Sequence, residues 1–481
     1  MLLKNWKSPG KSRYYNFMVN PIKKDEFPAE ITFQNDFFER LQNAHSRVIH
    51  LIIIASKPDI IKQAPLILEL KKRGEFVVIA HTGQHYDWNY SGGLEEEFGI
   101  KPDFNLNIKG ATYQKTAQII ERLGMIIDRI KKAGKLVIPY VHGDTSTAMA
   151  ASNAAYANMT ACVHVEAGIR TMTPKKHILD SFLYNKISFE EYYNLLQNET
   201  NWDKGSIEPY PEQFNTRSVG PTVGLHTAPV ELNKQHLINE GYHTDRIIVT
   251  GNSVIDAIKF IQGRTKDSKI FEKYPRLKGG FIRFCVHRRE NLNSKHRFFS
   301  IFEAMEELVK EGKNILFISL NGTEQAINYY GLREKVEELV KNYPNFIYSL
   351  VWPYYTDVIA AMEKAVICAT DSGSMQEEMN YMGIPCVTLR FNSDRPESIM
   401  CGGNIIAPPI NKDMILRIIK GTEKNSDRFK AAPKIYGENP SQKIAEEVNN
   451  IIKSGDNFFR WEHEKLGYNK LPFWREGEMK W

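Results

Sequence analysis

Five short stretches of this 481-residue chain collect side chains that move protons or hold anions: HTGQHYD (81–87), HGDTSTA (142–148), HVEAGIRT (164–171), HRRENL (287–292) and DSGSMQEE (371–378). Asp144 and Glu166, with Glu212 in PYPEQFN (209–215), are carboxylates on separate segments. Acid–base work on a carbon centre needs at least two proton-handling groups on different faces of the substrate. DSGSMQEE offers something else. A strand followed by Asp-Ser-Gly-Ser and a helix presents free backbone N–H groups and the positive end of that helix, where phosphate binds well. Gly373 lets the backbone approach closely, the Ser372 hydroxyl can donate, and Glu377 or Glu378, one turn in, can accept from ribose hydroxyls. Arg288, Arg289 and Arg395 can supply charge for a diphosphate. Plainer roles exist for each: Asp144 and Asp371 as helix caps, Glu166 paired with Arg170, the arginines as surface ion pairs.

Other chemistries lack their signatures. His142, His164 and His287 sit in different motifs without HxxxH or HxH spacing, so no metal is expected. No GxSxG marks a nucleophile, and neither Walker A nor GxGxxG marks a generic ATP or NAD site.

The elements that must position these residues alternate. VIHLIIIA (48–55), FVVIA (76–80) and LVIPYV (136–141) read as buried strands between helix-like stretches such as 60–74. The pattern restarts with RIIVTG (246–251), FIRFCV (281–286), NILFISL (314–320), FIYSLV (346–351), AVICAT (365–370) and PCVTLR (385–390). Each chemical stretch follows a strand, at the carboxyl edge where open α/β sheets bind ligands. The expected fold is α/β, with two Rossmann-like domains of parallel sheet facing a cleft. The expected division is an extension over 1–44, a first domain over 45–254 interrupted by an insertion at 172–208, a second over 255–440, and a return helix with an aromatic tail over 441–481. That tail is expected to dock its aromatics on the body.

A net charge of +6, from 63 basic and 57 acidic residues without a block of like charge, suits a phosphate-bearing small molecule better than nucleic acid. Five scattered cysteines without a CxxC pair, the lack of a signal-like start and the lack of a long apolar run predict a cytoplasmic protein with no membrane insertion.

TGQHYD, HGDTSTAMAAS, HVEAGIRT, PYPEQFN, GNSVIDAI, HRRENL, DSGSMQEE and DRPE, in this order from about residue 48 to about 450, resemble the non-hydrolysing UDP-N-acetylglucosamine 2-epimerases. The resemblance implies a GT-B-type fold with the nucleotide held mainly by the second domain. It also implies interconversion of UDP-GlcNAc and UDP-ManNAc through 2-acetamidoglucal, no cofactor, a place in polysaccharide biosynthesis and a homodimer. By matching position it makes Asp144, Glu166, Glu212 and His287 catalytic. It assigns Lys57, Lys62, Gln84, His85, Arg170, Arg288, Ser372, Gly373, Glu378 and Arg395 to the UDP-sugar, Gln84 at a regulatory subsite. Departures stand out: ASKPD for the family's GTRPE puts Lys57 and Asp59 where Arg and Glu are expected. Thr216 displaces an arginine to Arg217, a family histidine is missing within ISLNG (318–322), and Asp87 argues against allosteric activation. These motivate two alternatives, an epimerase of a related UDP-diacetamido sugar and a catalytically weak nucleotide-sugar-binding homologue.

Overall fold

The β-branched runs assemble two parallel sheets in the computed structural model, which describes residues 22–83, 92–454, 458–459, 466–468 and 471. The first has eight strands in the order Thr32–Phe33, Phe104–Asn105, Val77–His81, Val48–Ile54, Leu136–His142, Cys162–Val165, Val223–Ala228, Ile247–Val249. Only its edge pair, Thr32–Phe33 against Phe104–Asn105, is antiparallel. The second has six, all parallel: Phe346–Leu350, Ile315–Ser319, Phe281–Cys285, Ala365–Thr370, Cys386–Thr388, Asn404–Ile406.

Side chains alternate across each strand, so both faces of a parallel sheet need helical cover. Ile52 and Ile54 pack with Ile60 and Leu66 of helix Lys57–Lys72 and with Ile444 of helix Pro440–Lys453. Leu51 and Ile53 face the other layer, where helix Thr112–Lys132 buries Ile119, Leu123, Ile126, Ile127 and Ile130, one stripe at helical spacing. Helix Pro440–Lys453 therefore brings the chain back to the first sheet. Phe458, 3% exposed, joins the same core; Trp461, Phe473, Trp474 and Trp481 of the tail lie outside the described residues.

Two segments behave differently from their sequence position. Within the extension, Phe27, Phe33, Phe37 and Phe38 gather around Phe104 at the open edge of the first sheet. The insertion makes an antiparallel hairpin (Met172–Pro174 with Trp202–Lys204) and two helices, Lys176–Leu183 and Phe189–Leu196. It leaves the first sheet yet packs on the second. Ile178, Phe182, Tyr192 and Trp202 share a core with Ile405 and Ile418, and the Tyr192 and Tyr193 hydroxyls donate to the carbonyls of Ile406 (3.0 Å) and Gly402 (2.8 Å).

Candidate active site

Between the two sheets lies a cavity of about 750 Å³, lined from the first lobe by Lys57, Lys62, His142, Asp144, Glu166 and Glu212 and from the second by His287, Arg288, Arg289, Ser372 and Arg395. Strand ends from both lobes converge there because parallel strands all release their chains at one edge.

The floor is a buried charge cluster. Lys62, 1% exposed one turn into helix Lys57–Lys72, bridges Glu166 and Glu377, reaching Glu377 Oε2 at 2.6 Å. Arg395 spans the same two carboxylates, with Nη2 3.0 Å from Glu166 Oε1, and Asn252 Nδ2 donates to that oxygen at 2.8 Å. His142 closes the group, Nε2 at 2.7 Å from Glu166 Oε2 and Nδ1 at 3.0 Å from Asp59 Oδ1. Burial alone would lower the imidazole's pKa, but Glu166 and Asp59 push it up to about 9. Burial likewise works against the Glu166 carboxylate, and Lys62, Arg395 and His142 reverse this, holding it well below the usual carboxylate range. Glu166 has a left-handed backbone (φ 69°), a conformation costing a non-glycine residue about 1–3 kcal/mol, which the surrounding bonds must hold.

The other two carboxylates are freer. Thr145, not Asp144, caps helix Ser146–Ala157, its Oγ1 accepting from the Ala148 N–H at 3.0 Å. Asp144 has no side-chain hydrogen bond or ion pair among the described residues, and burial in the cleft pushes its carboxyl up to about 6. Glu212 opens helix Glu212–Val219; Arg288 Nη1 reaches its Oε1 across the cleft at 2.6 Å, and its Oε2 has no partner.

On the second lobe, Ser372 and Gly373 begin helix Gly373–Met382. A Cβ on Gly373 would lie 2.9 Å from Asp394 Oδ2 and 3.3 Å from the Arg395 guanidinium, so only glycine admits this packing. Asp371 does not cap that helix. Its fully buried carboxylate accepts from the backbone N–H groups of His287 (3.0 Å) and Arg288 (3.0 Å) and from Asn291 Nδ2 (3.0 Å), locking the HRRENL loop in place. His287 Nδ1 lies 3.3 Å from Asp371 Oδ1, and burial lowers the imidazole's pKa. Glu378 faces a neighbouring pocket of about 200 Å³, burial pushing it up to about 7. Lys57 donates to the Trp352 carbonyl at 2.6 Å across the lobes, and burial pushes it down to about 8.

Not every expected residue comes to this place. The Glu166–Arg170 pair does not form: Arg170 turns back to Glu240, with Nε and Nη2 at 2.8 and 2.6 Å, and lines neither pocket. Arg217 joins it on Glu240 (2.9 Å), while buried Thr216 packs beside Arg170. Gln84 and His85 lie outside the described residues. Sequence reasoning missed Asn252 and Asp394, although both lie in the quoted motifs GNSVIDAI and DRPE. Among the described residues no group of three or more His, Cys, Asp or Glu side chains is placed to hold a metal ion, and no helix is long and apolar enough to cross a membrane.

A family model described as UDP-N-acetylglucosamine 2-epimerase matches residues 68–182 and 204–449, leaving out the stretch of the insertion that holds helix Phe189–Leu196. The chain belongs to this family. The UDP-N-acetylglucosamine 2-epimerase of Bacillus subtilis is 30% identical over 412 residues, covering 83% of this chain and 94% of that protein. Among solved structures, the Methanocaldococcus jannaschii UDP-GlcNAc 2-epimerase in complex with UDP-GlcNAc and UDP superposes with a TM-score of 0.68 at 25% identity, over 84% of this chain and 99% of that one. The Neisseria meningitidis enzyme bound to UDP-GlcNAc gives a TM-score of 0.68 at 25% identity, over 84% of this chain and 100% of that one. These three relatives are UDP-N-acetylglucosamine 2-epimerases, and the fold around this cleft is theirs.

Proposed function

We propose that the chain interconverts UDP-GlcNAc and UDP-ManNAc by eliminating UDP and adding it back to the epimerised sugar. The proton on C2 is not next to a carbonyl and is hardly acidic, so its removal must be coupled to departure of the diphosphate from C1. One observation carries the reading: Asp144 and Glu212 are cleft carboxylates with oxygens left free, set beside cations at a helix N-terminus. Asp144, pushed up to about 6, can carry a proton near neutral pH, and Glu212 is the second proton-handling group. With both oxygens engaged, Glu166 serves as the fixed negative centre that keeps Lys62, Arg395 and His142 in register.

The leaving diphosphate meets the N–H groups of helix Gly373–Met382, His287, Arg288 and Arg289, which stabilise charge as it develops. The uridine extends toward Glu378. Elimination gives 2-acetamidoglucal; UDP then re-adds while C2 takes a proton on the opposite face. A cytoplasmic location fits the free, mostly buried cysteines. A homodimer, implied by the motif resemblance, is checked by light scattering.

The deciding experiment is proton NMR of UDP-GlcNAc with the protein in D₂O. UDP-ManNAc with deuterium at C2 supports the reaction. Free ManNAc with UDP would replace it by hydrolysis, and unchanged UDP-GlcNAc that nonetheless binds would point to another UDP-sugar or a binding role.

A further inference from the structure

The smaller pocket holds a buried cation that forms no ion pair with a carboxylate among the described residues. Arg283 sits in the middle of strand Phe281–Cys285, 9% exposed, with Leu316 and Cys368 as its neighbours in register on either side. Its guanidinium lines the pocket of about 200 Å³ together with Glu378, Tyr355 and Trp352. Among the described residues its side-chain contacts are thiols, Cys368 at 3.9 Å and Cys285 beside it, and the Glu378 carboxyl acts on it by charge alone. An arginine brings five N–H donors and cannot shed its charge, so burying one beside a thiol is costly unless something else accepts from it. The other buried arginines among the described residues are matched to carboxylates: Arg395 to Glu166 and Glu377, Arg390 to Asp394, Arg170 to Glu240.

Position decides what the missing acceptor is. Diphosphate belongs at the sheet edge, where Gly373, His287, Arg288 and Arg289 gather; Arg283 lies two residues deeper in its strand than Cys285, below that edge. Glu378 is five residues into its helix, roughly 7.5 Å from Gly373 at 1.5 Å per residue. Its Oε2 makes no hydrogen bond of good geometry, though the Tyr355 hydroxyl lies close to the carboxyl. The pocket thus offers, in order from the edge, an acceptor suited to ribose hydroxyls and then a donor-rich, positively charged floor beside an indole and a phenol ring. We propose that Arg283 is the residue by which this chain reads the nucleotide base, donating to the O4 carbonyl of uracil. This rests on the UDP-sugar reading above. Cytosine carries an amine in place of O4, which sets donor against donor.

The test is calorimetric binding of UDP and CDP to the full-length wild type, Arg283→Met and Arg283→Lys, with apo melting curves alongside. The wild type should prefer UDP by about 10–100-fold, the range expected for a hydrogen bond from a charged donor. Arg283→Met should weaken UDP by about that factor and leave CDP nearly unchanged, so the preference collapses. Arg283→Lys, which keeps the charge and loses the fork, should fall between. The apo melting temperature of Arg283→Met should hold or rise, because an unmatched buried charge is removed.

An unchanged UDP-to-CDP ratio in Arg283→Met overturns the proposal, and so does a sharp drop in apo melting temperature, the mark of a structural charge. If the wild type converts UDP-GlcNAc but the ratio does not respond, only this assignment falls. If the wild type binds neither nucleotide, the UDP-sugar reading falls with it.

Discussion

Glu166 on the first lobe and Glu378 on the second are each 4% exposed, yet their carboxyls move in opposite directions. Burial penalises the charged form of both. At Glu166 the penalty is reversed by Lys62, Arg395 and His142, and the group stays ionised. At Glu378 it stands with little opposition, and the value rises to about 7. The cleft floor is a closed network of bonded side chains, in which burial and the charge of Glu166 push the Glu377 carboxyl up to about 8. The smaller pocket is open, leaving Glu378 and Arg283 short of partners that a ligand can supply. Burial sets the cost of a charge, and neighbours decide whether the protein or the ligand meets it.

The largest effect should come from breaking the closed network. Lys62→Met leaves Arg395 as the one cation that Glu166 and Glu377 share, with His142 still on Glu166, and removing one partner of a buried ionic group costs about 3–5 kcal/mol. Urea denaturation should show that loss, and adding Glu377→Gln should restore part of it. Recovery of nothing would mean that the network is not coupled as drawn.

Asp144→Asn tests a group outside the network. Deuterium incorporation should fall by about 10²–10⁴, the usual contribution of an acid–base residue. The fold should not suffer. A carboxyl raised in the folded state contributes stability at low pH that is lost as the pH climbs through about 6, so above that pH the variant should be as stable as the wild type or more so.

A smaller effect separates the open pocket from the closed one. Glu378 binds ribose best when ionised, so UDP-GlcNAc affinity should rise about tenfold between pH 6 and pH 8 with a midpoint near 7. Glu378→Gln should flatten that curve. A pH dependence that persists in the variant would assign it elsewhere.

The smallest effect is expected outside both clusters. Tyr193→Phe removes one buried hydrogen bond to Gly402 and should cost about 1 kcal/mol without changing kcat. A fall in kcat would mean that the insertion communicates with the cleft.

Much of the site was legible because strand ends and motifs are local. The β-branched runs announced the two sheets, and Asp144, Glu212, His287, Ser372 and Gly373 could be placed at one edge without coordinates. What escaped depends on partners distant in the chain. Asp371 looks like a helix cap from its neighbours, and only the fold brings the HRRENL backbone to it, 84 residues away at His287. Arg170 follows Glu166 by one helical turn in sequence, but the left-handed backbone at Glu166 breaks that register and Arg170 meets Glu240 instead. The insertion has helical periodicity of its own, which cannot say which sheet it will cover.

The sequence by itself determined the family, the parallel α/β architecture and the residue types at the cleft, since periodicity and short motifs depend only on nearest neighbours along the chain. Tertiary structure alone decided which charges are matched. Lys62 meets Glu377 across 315 residues, and Arg395 meets Glu166 across 229. Whether a buried ion is quenched or left for a ligand depends on distances of a few ångströms, which no spacing along the chain encodes.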